Sequence, residues 1–338
     1  MTNTPTVNRI LFGLYVLAIL AVGVAALIWP TMRNAAYAPL RDLLFPNVYL
    51  PTNASAPVQL SVAVAPALGD WVKASATQFT AKNHFIKVNV TELRGLNAGN
   101  QLNTLTGQTD VWIAEADFAR ATAASIPYET QGKSVAQDSF LWVAVKSHKE
   151  LSGNLGWQSI GSAAANNRQF QLAMPPTQSI EGMAACWSAA ADFARSPNVT
   201  AAQLNDPAFR KWLEHLFQAA PDRNRGSLDQ MATRPPQADA GLILNSDWSQ
   251  LAQDAFIAEP PANNVIFNFP YYVRTTWPDL QPDELTARQD AANTFRDYLL
   301  SDEAQSQLTN YGLKRAASSS GPLAQLDDAT LRALQFCW

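Results

Sequence analysis

Hydrophobic and polar positions are patterned along most of the chain. Leu60, Val62 and Val64 occupy every second position, which predicts a strand over 59–65. Trp71, Val72 and Phe79 then fall to one side of a helical stretch from Gly69 to Lys82. Alternation returns at Ile86, Val88 and Val90, a second strand over 85–90. A short helix is expected over 97–105 and a third strand at DVWIA, 110–114. This βαβαβ order predicts a parallel sheet with helices on its faces.

The series continues. SFLWVAV (139–145) and FQLAM (170–174) read as strands, and a helix starts near Ser179. In LNDPAFRKWLEHLFQAA, Asp206 is placed as N-cap and Pro207 at the first helical position. Phe209, Trp212, Leu213, Leu216 and Phe217 form the apolar face of that helix. GLIL (241–244) and VIFNFPYYV (265–273) are later strands. Ala291, Ala292, Phe295 and Leu299 mark one closing helix; Ala304, Leu308 and Tyr311 mark another. Asp302 and Gln305 have capping-box spacing, and Gly312 can supply a left-handed C-cap. A last short helix is expected over 329–336. So long an α/β series predicts two lobes.

The N-terminal part differs. Ile10 to Trp29 carries no charge, and twenty helical residues span about 30 Å, the thickness of a bilayer core. A cleaved signal peptide is the competing reading, but its apolar run is shorter. The A-x-A site at Ala36–Ala38 also lies far beyond the run and is followed by Pro39. The expectation is a single-pass cell-membrane anchor over 10–29, with residues 1–9 cytoplasmic and the globular part extracytoplasmic. Arg33 and Arg41 follow the span, so charge alone does not set this orientation. Residues 30–57, with prolines at 30, 39, 46, 51 and 57, read as a linker.

Composition narrows the function. A net charge of -4, with 15% charged residues, gives no footprint for nucleic acid. His84, His148 and His215 are scattered, and no metalloprotease, nucleophile-elbow, phosphate-loop or calcium-loop motif occurs. Neither an enzyme nor a cofactor or metal site is expected. Cys186 and Cys337 have no metal-ligand spacing; the sequence leaves open whether they are bridged or free.

Several segments, taken in order, resemble the type II periplasmic solute-binding proteins, in particular their molybdate- and phosphate-like branch. QLSVAVAPAL resembles that family's first strand and turn. RGLNAGNQLNTLTGQTDVWIAEA, with Gly95, Gly107 and Asp110, resembles its second loop, helix and third strand. SFLWVAVKSH with LGWQSI, QADAGLILNSDW, and AANTFRDYLLSDEAQSQLTNYGLKRA resemble the later strands and closing helices. The likeness covers about residues 58–316. It implies a two-lobed α/β fold, with one lobe over 58–138 plus 263–338 and the other over 139–262. It also implies capture of a small-molecule solute for transport or sensing, with an ABC-type permease or other membrane complex as partner. Similar domains also occur joined to von Willebrand A domains, but no D-x-S-x-S motif is present here. The chain departs from the oxyanion-gripping members: Ala67 stands at the first turn, and Leu96 and Asn97 replace paired serines. These losses argue against a bare tetrahedral oxyanion. They leave a second reading open, a ligand-free module acting as an interaction or scaffold domain in a membrane complex.

In open α/β sheets, ligands bind outside the carboxyl ends of strands. The expected ligand-binding residues are therefore Leu68, Gly69 and Trp71 after the first strand, Asn97 at the second helix, and Glu115 after the third strand. Thr177, Gln178 and Ser179 precede a helix, and Asn245 and Asp247 follow GLIL. Trp71 offers a stacking face, Ser179 a helix N-terminus, and Glu115 and Asp247 a charge for a cation or amine.

Overall fold

The computed structural model describes residues 57–93, 101–102, 109–116, 119, 127–277, 280–316, 323 and 326–337. The apolar run 10–29, most of the linker, and Asn97 with its neighbours lie outside the described residues. Among the described residues, no helix is long and apolar enough to cross a membrane.

The first three strands are β1 (Val58–Val64), β2 (Ile86–Glu92) and β3 (Val111–Ile113). β1 pairs in parallel with both of the others. Helix α1 (Gly69–Lys82) connects the first two and has the bounds its apolar stripe predicts. Strand β4 (Lys133–Val145) is far longer than the apolar run that announces it. After it come α2 (Trp157–Asn166), β5 (Leu172–Ala173), α3 (Ile180–Ala194), α4 (Ala201–Leu204) and α5 (Pro207–Gln218). Then follow α6 (Ser227–Met231), β6 (Ala240–Leu244), α7 (Asn245–Trp248), β7 (Phe256–Glu259) and β8 (Ile266–Val273). The chain closes with α8 (Pro282–Leu299), α9 (Asp302–Gln305) and α10 (Asp328–Gln335).

The strands run in the order β2-β1-β3-β8-β4-β6-β5, with β7 on β4. The sheet is mixed, not parallel throughout. β8 is antiparallel to both β3 and β4, and β4 is antiparallel to β6 and β7. The reason is topological. β4 carries the chain out of the first lobe and β8 carries it back, so the two must run in opposite senses.

β4 belongs to both lobes. Its first half, Lys133 to Ser139, pairs with β8; its second half, Phe140 to Val145, pairs with β6 and β7. At the switch, Asn264 stands in for a strand neighbour. Its Oδ1 accepts from the Phe140 N–H at 3.0 Å, and its Nδ2 donates to the Phe140 carbonyl at 2.9 Å. The backbone at the crossing therefore stays satisfied although its sheet partner changes.

Period decides packing locally. Asp206 accepts from the Ala208 N–H and Pro207 opens α5; Phe209, Leu213, Leu216 and Phe217 are buried along one face. α8 closes over the first lobe through ring contacts of Phe79 with Phe295 (5.1 Å) and Tyr298 (5.4 Å). The cap of α9 is Ser301, whose Oγ accepts from the Ala304 N–H, one residue before the Asp302 that spacing indicates.

α10 packs on α3 and α4, although the sequence groups 263–338 with the first lobe. Thr330 Oγ1 accepts from the Ala201 N–H at 3.1 Å, and a Cys186–Cys337 disulfide closes a separation of 151 residues. Arg210 donates to the carbonyls of Phe336 and Cys337 at 3.0 and 3.1 Å. The C-terminal helix is thus held on the second lobe.

Candidate functional site

A cleft of about 1100 Å³ opens where the strands of both lobes end. The first lobe contributes the turn after β1 (Pro66, Ala67 and Asp70), Glu92 at the end of β2, and Glu115 after β3. The second contributes the segment before α3 (Pro175, Pro176, Gln178, Ser179 and Glu181), the run from Asp222 to Asp229, and Ser246 and Asp247 at α7. Asn310 and Tyr311 of the closing turn complete it.

Of the residues expected from sequence, Glu115, Gln178, Ser179 and Asp247 line this cleft. Leu68, Gly69, Trp71, Thr177 and Asn245 are not among its lining residues. Leu68 and Trp71 are fully buried, and the Trp71 indole donates to the Ala304 carbonyl at 3.2 Å. Its ring is a bolt between α1 and α9, so it offers no stacking face to a solute. Gly69 opens α1, and only the flexible end of the Glu92 side chain lies where its Cβ would be. Asn245 Nδ2 donates to the Gly312 carbonyl at 2.6 Å.

Ser179 is the N-cap of α3. Its Oγ accepts from the Gly182 N–H at 2.9 Å and donates to the Pro176 carbonyl at 2.7 Å. Both bonds satisfy the chain's own groups, while the cap still brings the start of α3 to the cleft wall.

The segment 222–229 did not stand out in the sequence. Its only signal is a run of polar residues, DRNRGSLD, between an amphipathic helix and a strand. It places Asp222, Arg225, Ser227 and Asp229 at the cleft. Arg225 is engaged by nearby chain: it donates to Gln237 Oε1, beyond α6, at 2.6 Å and to the Asp229 carbonyl at 3.0 Å. On the first lobe, Glu92 accepts from Lys73 at 2.6 Å.

Two further carboxyls hold the frame of the lobes. Asp110 accepts from the Ser61 N–H at 2.8 Å and from Arg288 at 3.0 Å; burial raises its pKa against those bonds. Asp138, beside the crossing in β4, accepts from the Ser139 N–H at 2.7 Å and the Ser246 N–H at 3.3 Å. Burial pushes its pKa up to about 7, against the pull of hydrogen bonds from Ser246 and Ser139 and with help from the nearby Asp247 charge.

Two α/β lobes joined by crossing strands, with a cleft at their strand ends, define a solute-binding protein of the type II periplasmic class. The chain belongs to the family of bacterial extracellular solute-binding proteins, whose model matches residues 60–314. Among solved structures, it is similar to the sulfate-binding protein SubI from Mycobacterium tuberculosis. That match has a TM-score of 0.54 and 13% identity, covering 77% of this chain and 88% of that one. It is also similar to iron-bound HitA from Pseudomonas aeruginosa, with a TM-score of 0.54 and 14% identity over 83% and 97% of the two chains. Maltose-bound MalE3 from T. maritima matches with a TM-score of 0.55 and 10% identity over 83% and 86%. At these identities the likeness shows the fold. No curated protein matches the chain.

Proposed function

We propose that this is a membrane-tethered, extracytoplasmic solute-binding protein that closes two lobes on a small solute and presents it to an ABC-type permease. The observation that carries the reading is the cleft itself, about 1100 Å³ and lined from both lobes. That volume suits a small molecule or a short chain. The lobes are taken as 58–138 with 263–316, and 139–262, with α10 docked on the second. Residues 10–29, uncharged and long enough to span a bilayer, would supply the tether. Glu115, Gln178, Ser179 and Asp247 are the sequence-expected residues assigned to the solute.

Native mass spectrometry of the full chain, extracted from cell membranes in mild detergent, tests the reading. A retained small molecule, lost on partial denaturation, is the expected result. Extraction by alkaline carbonate without detergent would remove the tether from the proposal. A chain that never carries a solute but copurifies with membrane proteins in fixed ratio would favour a scaffold role.

A further inference from the structure

Three segments of the chain meet at one short stretch of β4. Gln137 lies opposite Asn268 of β8, and its Nε2 donates to Asn268 Oδ1 at 2.5 Å. The Gln137 backbone also exchanges hydrogen bonds with Lys314, just past the closing turn, at 2.8 and 2.9 Å. Asp138 comes next, opposite Phe267 of β8, and two residues later Phe140 is paired with Leu244 of β6. With the lobes taken as above, Asp138 is the last residue before the chain enters the second lobe. Its Oδ2 accepts from the N–H of Ser246 in α7, so this bond crosses the boundary between the lobes.

Phe140 and Ser246 line the cleft, and Asp138 lies behind them with 2% of its surface exposed. Neither of its bonds, from the Ser139 and Ser246 N–H groups, comes from a cation. The elements packed around it bring little that would hold a negative charge. β8 presents Phe267 and β6 presents Leu244; Lys314 is engaged with Gln137 through its backbone; and α7 brings Asp247, whose charge opposes ionisation of Asp138. The two N–H bonds favour the charged form, but burial outweighs them, and the pKa is pushed up to about 7. An ionised carboxylate sealed here lacks the hydration it needs, whereas a neutral carboxyl does not. Rotation of the lobes about the crossing strands stretches the bond to Ser246 and opens the cleft over Asp138, which lets water reach it.

We propose that Asp138 is a proton-operated catch between the lobes: protonated, it keeps α7 seated on the crossing strand and the lobes together; ionised, it draws in water and lets them part. A solute would then be held more tightly in acid than above neutral pH. This rests on the solute-binding reading above and adds a control of the same cleft.

Distance measurement by double electron–electron resonance on the full chain in detergent tests it. Spin labels are carried by an unnatural amino acid at Lys87 on the first lobe and Lys211 on the second, both exposed, so that the native disulfide stays intact. The longer-distance population should grow from a minority at pH 5 to a majority at pH 9, with a midpoint near 7. Asp138→Asn should hold the pH 5 distribution throughout. Should that variant fail to fold, Asp247→Asn takes its place: removing the neighbouring charge should move the midpoint to lower pH, a shift that lost packing alone would not give. Distances independent of pH in the parent protein, or a midpoint unchanged in the variant, would overturn the catch. Native mass spectrometry separates the two readings. A retained molecule with pH-independent distances overturns the catch and leaves solute capture standing; pH-dependent distances with no retained molecule sustain the catch and overturn solute capture.

Discussion

The side-chain amide of Asn245, the first residue of α7 directly after β6, donates to the carbonyl of Gly312 in the closing turn at 2.6 Å. Gly312 has φ of 69°, and a Cβ there would meet the Asn245 carbonyl oxygen at 2.7 Å. One contact thus joins the wall of the cleft to the helices that close the fold, and it requires a residue without a side chain. Gly312→Ala should cost about 1–3 kcal/mol through backbone strain and displacement of the start of α7 at Asn245. Urea denaturation measures it; an unchanged midpoint would show that the turn relaxes without loss.

Asp138 should make stability depend on pH. Its folded pKa of about 7 lies above the ordinary 3.8, so the folded state holds the proton more tightly than the unfolded state does. Stability is then greatest below about pH 4 as far as this group is concerned, and falls as pH rises through about 7, by an amount on the order of 4 kcal/mol. Asp138→Asn should flatten that slope. Urea midpoints at pH 5 and pH 8 for both proteins decide it, and equal slopes would assign the dependence to other groups.

The Cys186–Cys337 bond holds α10 to α3 across 151 residues of chain. Cys337→Ser should lower stability by roughly 2–4 kcal/mol, and reduction of the parent protein should destabilise it by a similar amount, seen as a lower melting temperature. A melting temperature indifferent to reductant would mean that the bonds from Arg210 and Thr330 suffice to hold the helix.

Trp71 is a packing residue, fully buried with its indole bonded to Ala304. Trp71→Ala should cost about 3–5 kcal/mol, as large core truncations do. Solute affinity of the folded fraction should stay the same. A drop in affinity without loss of stability would return Trp71 to the binding site.

Local order was legible because it is written in near neighbours. The period-two runs marked β1 and β2, the short apolar run GLIL marked β6, the helical stripes marked α1, α5 and α8, and Gly312 announced its own left-handed turn. The strand reading also put Glu115, Gln178, Ser179 and Asp247 at strand ends, and these side chains line the cleft.

What only the tertiary structure decided depends on residues far apart in the chain. The direction of β8 follows from where the chain has been since β4. The bridge between Cys186 and Cys337 depends on α10 crossing to the second lobe. Trp71 and Asp70 are adjacent, yet one is sealed beneath α9 and the other faces the cleft. Segment 222–229 shows no periodicity, so nothing in its composition says that it brings Asp222, Ser227 and Asp229 to the same space as Glu92. Side-chain period depends on backbone geometry over a few residues, whereas facing surfaces and their summed charge arise only when both lobes are folded and the crossing strands set them opposite each other.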